Sequence, residues 1–537
     1  MGRQRAVITV FFSLLSVIFL AGAFTVVEAV RVAGARAHCA NASALGLWSV
    51  FSEYENVLLE DYGLFAVDGG SGGGSVSKDS LISRYSGYLR ENESSTADMS
   101  GKLQGILLDP WKVSVSQAQV NQYALLTDRA GAYYYQQAVE YMRQTAWAGA
   151  LGKLKAMYSR SEEIRQAESE FEQSRKDSGK NARELEQGLK DAREQLSGSQ
   201  NPGGGGTSAG SSGGTSSGGI EIIAVGEEAE KLRQAEEEAR KKNPLEKIAS
   251  LQKKELLELV CGRGHVSDKA LARSTLLSGR GRNSGVLALD TPRGGELDDL
   301  LFREYLLDHF PDCSDNDADK ALSYQLEYLI AGKYTDAANL KKVLRRLLFL
   351  REGMNYSFLV TSSSCNLQVS ALASLIAGWT GKPLLVAGTK QALLLAWAYG
   401  ESLFDVRILL HGGRIPLNKD ASSWNVPLED LINLETDLPR ADRIAKSGSS
   451  GLCYKDFIRI LLAMTRVSTL RTRSLDMLEQ NVRMSDGMGA FRADNCVVGM
   501  TVTTDWNIHP VFSNVPSALI GISAPAFRTS VSGGFAY

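Results

Sequence analysis

An uncharged stretch from Ala6 to Val27 (AVITVFFSLLSVIFLAGAFTVV), set between Arg5 and Glu28, constrains this chain more than any other feature. At about 1.5 Å of rise per residue, a helix of this length reaches ~33 Å, enough to cross the hydrocarbon core of a bilayer once. Arg3 and Arg5 precede it. The positive-inside rule then keeps residues 1–5 as a cytoplasmic tip, makes residues 6–27 a single-pass transmembrane helix, and sends the rest of the chain outside the cell. The alternative is a cleaved signal peptide, with a basic start, an apolar centre from Ala6 to Leu20, and Ala21-Gly22-Ala23 as a small-residue cleavage site. Against cleavage, the run passes without a Pro or a turn cluster into Glu28-Ala-Val-Arg-Val-Ala-Gly-Ala-Arg-Ala. Nothing there stops a helix, so one rod is expected to start in the membrane and project beyond it. Either reading places the bulk of the chain outside.

With 537 residues the chain exceeds what one core usually holds, and its 44% hydrophobic and 22% charged content is ordinary for a folded protein. A formal net charge of -2 and the lack of a dense Lys/Arg block exclude nucleic acid as an expected partner. Six cysteines (Cys39, Cys261, Cys313, Cys365, Cys453, Cys496) show no C-x-x-C spacing, which disfavours a structural zinc site. Cys453 with Cys496 is the first pair to test for a disulfide in an oxidising compartment; free buried thiols are the alternative.

Along the chain, residues 28–148 read as an N-terminal α+β unit. Leu45, Trp48, Phe51 and Leu58 recur at helical spacing, Tyr62 to Asp68 turns extended and ends at the glycines of 69–74, Ile106 to Val115 is again extended, and Tyr133 to Trp147 is helical. Residues 149–197 read as a coiled-coil arm, with Leu185, Leu189, Ala192 and Leu196 at four-three-four spacing. Residues 198–219 are a Gly/Ser low-complexity linker, and 220–243 a second helical arm carrying Ala229, Leu232 and Ala239 and stopped by Asn243-Pro244. The two arms are expected to fold back on each other as a hairpin or solvated spacer. Residues 244–495 form a helical C-terminal core, with apolar periodicity over Asp319–Gly332, Ala338–Arg351, Gln368–Trp379, Lys390–Phe404 and Tyr454–Leu470. Ala387 to Ala398 is interrupted by Glu401 too soon to be a further membrane pass. Residues 496–537 are β-rich, with Val497–Thr504 and Ala518–Ser523 extended. The expected fold class is α+β, predominantly helical: a transmembrane helix prolonged into a rod, a helical hairpin or coiled-coil insertion, and a helical core ending in a small β-sheet.

No residue set names a reaction, so no catalytic, cofactor-binding or metal-ligating residue is assigned and no cofactor is expected. The five histidines (His38, His265, His309, His411, His509) form no H-E-x-x-H, and G-x-S-x-G and phosphate-loop motifs are absent. Gly279-Arg-Gly-Arg-Asn-Ser-Gly285 reads as a surface turn. The best polar constellation is Glu401 and Asp405, four apart on one helix face, followed by Arg407 and His411. They could work as acid and base, in an extracellular hydrolase of envelope polymers, if their surroundings split their pKa values. Otherwise they pair with Arg407 or Lys333, or with Arg345-Arg346 or Arg471 and Arg473, and fix how helices meet. A surface ligand-binding module using Trp506, Phe512 and Tyr537 on the C-terminal sheet is a third reading.

Several blocks together, E-A-V-R-V-A-G-A-R-A after the apolar run, Y-G-L-F-A-V-D, Y-Q-L-E-Y-L-I-A-G-K, W-A-Y-G-E-S-L-F-D-V-R and G-L-C-Y-K-D-F-I-R-I-L-L, resemble a clostridial family known as domain of unknown function 5702. The resemblance implies no activity. Members of that family are similar to the pseudopilin-like proteins of tight-adherence (Tad) pilus systems, which join an N-terminal membrane helix to an outward domain. This chain departs from the pilin pattern, for Glu28 sits at the helix exit and not at the fifth position after a prepilin processing site. Small residues in and after the anchor (Ser13, Ser16, Ala21, Gly22, Ala23, Ala33, Gly34, Ala35) would let helices approach, favouring self-association. Glu28 and Arg31, with Arg36 beyond, would rest among headgroups or pair between neighbouring anchors. The resemblance thus implies a non-enzymatic, Gram-positive cell-surface protein whose partners are the lipid bilayer, envelope or pilus-assembly proteins, and itself through its N-terminal helix.

Overall fold

The computed structural model describes residues 2–70, 74–93, 111–145, 163–177, 187–188, 190–192, 194, 227–262, 266–290, 294–315, 319–448, 450–513 and 525–537. It is mostly helical, with a long apolar N-terminal helix and a small antiparallel sheet. Helix α1 runs unbroken over Gly2–Ser52, 51 residues, so the rod expected from the sequence forms. Within its apolar half, the Ser13 and Thr25 hydroxyls donate back to the carbonyls of Val10 and Ala21, which satisfies them within the helix. From Val7 to Val27 its large apolar side chains are exposed, Phe19 by 74%, except Phe24, which is half-buried. Beyond Glu28 the same helix buries a stripe of Val32, Ala35, Cys39, Ala42, Val50 and Phe51 at helical spacing. One continuous element therefore has two environments, and they change over at Glu28.

The cover over the second half is a four-stranded antiparallel sheet: β1 (Val67–Asp68), β2 (Val113–Leu125), β3 (Cys496–Ile508) and β4 (Phe527–Ala536). Val497 pairs with both Leu125 and Val67, so β3 is central, flanked by β2 on one edge and by β4 and then β1 along the other. On β3, Met500, Val502, Thr504, Trp506 and Ile508 are buried while the intervening residues are half-exposed, the period-two pattern of a sheet covered on one face. α1 and helix α3 (Lys78–Glu93) form that cover. The Tyr85 hydroxyl bonds the Thr504 hydroxyl at 2.8 Å, and the Trp506 indole donates to Ser43 on α1 at 3.1 Å. β3 thus descends along α1: His509 lies at Arg31, Trp506 at Ser43, and Phe535, paired with Met500, at Phe51. About 20 residues of helix and 9 of strand both measure ~30 Å, so the strands run nearly along the helix axis. The β-rich C-terminus is where the sequence placed it for β3, but two of its partners come from the N-terminal unit; Ala518–Ser523 lies outside the described residues.

A second, larger core holds the remaining helices: α2 (Asn56–Tyr62), α4 (Asp128–Thr145), α5 (163–177), α6 (Glu227–Lys242), α7 (Leu245–Gln252), α8 (Leu256–Cys261), α9 (Glu296–His309), α10 (Gln325–Ala331), α11 (Asp336–Thr361), α12 (Ser363–Ala377), α13 (Pro383–Leu410), α14 (Leu434–Asp437), α15 (Pro439–Lys446), α16 (Tyr454–Ala463) and α17 (Val467–Met484). α11 starts where the Thr335 hydroxyl accepts the Ala338 amide, and α13 starts with Pro383 at its first turn. α11 and α13 pack together through the middle of this core, so the apolar stretch Ala387–Ala398 belongs to a core helix. The two arms lie on it too. α5 buries Ile164 and Phe171, with Phe171 edge-on to Phe349 and Tyr356, and α6 lies against α12. Leu185, Leu189 and Leu196 of the expected seam and the linker 198–219 fall outside the described residues; Ala192 is buried.

Candidate functional site

Glu401 and Asp405 do share a face of α13, and both side chains are fully buried. Their partners are not Arg407 or Lys333. The Lys419 ammonium, from the loop after α13, pairs with Glu401 and lies 2.6 Å from Asp405. Arg351 of α11 donates to Asp405 Oδ2 from Nη2 at 2.9 Å and from Nε at 3.1 Å, and its Nη1 donates to the Leu417 carbonyl at 2.7 Å. Asn355 donates to Asp405 at 3.1 Å, and the Asn425 and Val426 amides donate to Glu401 at 3.0 and 2.8 Å. Burial and the charge of Asp405 push the Glu401 carboxyl up, against the pull of Lys419. Burial works against the Asp405 charge as well, but Lys419 and Arg351 outweigh it and hold that carboxyl below its usual range. The surroundings therefore split the two acids as an acid–base pair would require, yet both are closed off from solvent. A group that must hand a proton to a polymer has to reach it; these two tie α11, α13 and the 411–427 loop together.

Among the other polar residues singled out by the sequence, Arg407, His411, Arg471 and Arg473 hold joints as well. Arg407 forms a two-pronged pair with Asp442 at 2.6 and 2.8 Å, with His411 3.6 Å from the same carboxylate, and Lys333 is exposed. Arg345 and Arg346 are exposed, Arg471 lies 3.9 Å over the Tyr135 ring, and Arg473 donates to the Leu329 and Ile330 carbonyls at the end of α10. The segment 279–285 lies at the surface as expected, with Gly279, Gly281, Arg282 and Ser284 exposed, but Arg280 and Asn283 also make it a clamp. Arg280 bonds Asp494 at 2.9 Å and Glu479 at 2.7 Å, both fully buried, and the Asn283 amide donates to Asp494 at 2.8 Å. Glycines and arginines on their own gave no hint of these carboxylates, which lie some 200 positions away. All six cysteines are free, including Cys453 and Cys496. Trp506 is core, while Tyr537 packs among Phe51, Phe65 and Phe535, so with Phe512 they make no shared ligand platform. Among the described residues no cluster of His, Cys, Asp and Glu could hold a metal ion.

A further cluster of buried polar groups lies where α1 leaves its apolar half. Glu28 and Arg31, both buried, pair at 2.6 Å. Glu28 accepts the Phe512 amide at 2.8 Å and the Val511 amide at 3.3 Å, and Arg31 donates to the carbonyls of Trp111 at 2.5 Å and His509 at 2.6 Å. The ends of β2 and β3 are thus gripped by two side chains of the anchor helix. The Trp111 ring lies on Gly34, where a Cβ would come within 2.4 Å of it, and stacks on His38; the Phe512 ring stacks on Phe24 at 6.4 Å. Glu28 lies where the apolar half of α1 ends and the helix runs on to Ser52; it and Arg31 are engaged within the chain, and Gly34 makes room for Trp111.

Among α5, α7, α11 and α13 lies a cavity of about 800 Å³ with walls from Phe171, Ile248, Leu348 and Leu395. Glu352 and Tyr399 face it, with Arg175 and Arg345 at its rim. Burial raises the Glu352 carboxyl to about 7, with Arg175 opposing, and burial raises the Tyr399 phenol to about 12. No sequence pattern marks this cavity, because its lining comes from separate helices.

These features define a chain with an N-terminal helix long and apolar enough to cross a membrane, clamped to a small sheet and continued by a helical body of closed charge networks. The chain belongs to the family of unknown function DUF5702, whose sequence model matches residues 234–508. No curated protein and no solved structure matches it.

Proposed function

We propose that this is a membrane-anchored extracytoplasmic protein without catalysis of its own, a pseudopilin-like or scaffold component of a Tad-like pilus or secretion apparatus. The observation that carries this reading is the change of environment at Glu28. An apolar helix about one bilayer long stands bare, and the rest of the same helix is locked under a sheet. Arg3 and Arg5 before the anchor support an N-terminus in the cytoplasm and a body outside. The bare helix, with open space around Gly22, supports lateral contact between copies. Crosslinking in intact cells followed by mild detergent extraction should recover this chain with envelope or assembly proteins; recovery of the chain alone would refute the scaffold role. Protease added to intact cells should remove the body, and protection until lysis would invert the topology.

A second reading, a surface ligand-binding module, is favoured by the cavity beside Glu352, whose size and apolar walls suit a small amphipathic molecule. Screening small amphiphiles against the detergent-solubilised chain should then find a thermal stabiliser whose effect is lost in Glu352→Gln. The hydrolase reading through Glu401 and Asp405 gains no such support, since both carboxylates are sealed and paired.

A further inference from the structure

We infer that the turn after β3, residues 509–513, is a second membrane contact that enters the outer leaflet beside the anchor; this rests on the anchored reading above. Phe24 lies inside the apolar run, about one helical turn or ~6 Å before Glu28 along the axis. The Phe512 ring is stacked on it at 6.4 Å, so wherever the bilayer holds Phe24 it also holds Phe512.

The backbone at the turn meets the condition that hydrocarbon imposes, that polar groups be bonded within the protein. The amides of Val511 and Phe512 go to Glu28, and the carbonyls of His509 and Trp111 go to Arg31. The two side chains that serve them cancel each other's charge in a 2.6 Å pair. A turn bathed in water needs no such arrangement, because solvent would satisfy those four groups. Facing outward are half-exposed Val511, Phe512 and Trp111, side chains suited to the acyl and headgroup boundary, together with half-exposed Ser513, exposed Lys112 and exposed His509, whose ring bonds the Ser114 hydroxyl at 2.9 Å, polar groups suited to the headgroup layer. The occupant of this surface is therefore the lipid of the anchor's own bilayer.

The full chain, reconstituted in phosphatidylcholine–phosphatidylglycerol vesicles, can carry photoreactive benzoylphenylalanine in turn at Leu20, Val511, Phe512 or Thr503. Irradiation should attach lipid at Phe512 and Val511 with a yield comparable to Leu20, and at background level at Thr503, on the half-exposed face of β3. Lipid attachment at Leu20 but at neither turn position would overturn the proposal and leave the anchor intact. Equal attachment at Thr503 and Phe512 would also overturn it, since the contact would not be confined to the turn. No attachment at Leu20 would remove the anchor, and the proposal with it.

Discussion

Gly34 shows what a single position can hide. As a small residue just past the anchor it reads as a place for a second helix, whereas its missing side chain accommodates the Trp111 ring. Gly34→Ala should lower the stability of the detergent-solubilised chain by roughly 1–3 kcal/mol in thermal melts, as overpacking does, while Gly22→Ala, with open space around it, should leave the melt unchanged. Glu401 and Asp405 were legible as a helical pair, but not their partners, since Arg351 and Lys419 sit on a different helix and in a loop. Lys419→Met leaves buried Glu401 without a cation and Asp405 with Arg351 alone, and should cost about 3–5 kcal/mol in denaturant unfolding. Glu327 is another buried acid. It accepts from the Tyr454 hydroxyl at 2.8 Å and the Cys313 amide at 3.0 Å, and burial, with Asp312 adding to it, raises its carboxyl from 4.5 to about 7. The folded chain thus holds this proton more tightly than the unfolded one. Its contribution is fully present below pH 4.5 and is lost as pH rises through about 7, a change of about 3 kcal/mol. Unfolding measured from pH 5 to 8 should show this decline, to which Glu352, also raised to about 7, adds; Glu327→Gln should remove the Glu327 share and leave that of Glu352.

Elements with strong periodicity were readable one by one. The rod, α10 to α13, α16 and β3 overlap the segments where apolar spacing put them, because each has one face to bury, whereas α9 had no expectation. The boundaries moved where tertiary contacts decide. Tyr454–Leu470 divides into α16 and α17, and α11 extends ten residues past Arg351 to Thr361. What joins the elements was not readable, and the 279–285 loop is the clearest case: a glycine-rich turn by composition, it is held by Glu479 on α17 and by Asp494 just before β3. Arg280→Ala should leave both acids short of a partner. Hydrogen exchange should then quicken in α17 and at the start of β3 while α11 and α13 stay protected, and uniform quickening would show that the joint is not local.

For the whole molecule, the family match and the folded unit do not coincide. Residues 234–508 end with β3, whose neighbours β1, β2 and β4 all lie outside that span. A fragment limited to 234–508 should therefore expose β3 on both edges. Its β3 amides should exchange freely and the fragment should aggregate, whereas a chain beginning at Glu28 should keep them protected. The anchor helix also bears on mechanics. Because β3 and β4 run nearly along α1, and the Glu28–Arg31 grip sits at one end of β3, a pull on the anchor is aligned with the strands. The ladder bonds stand across that direction. Tension from the membrane is thus shared broadside by the ladder as shear, and the sheet resists as a unit where a crosswise tug would unzip it rung by rung.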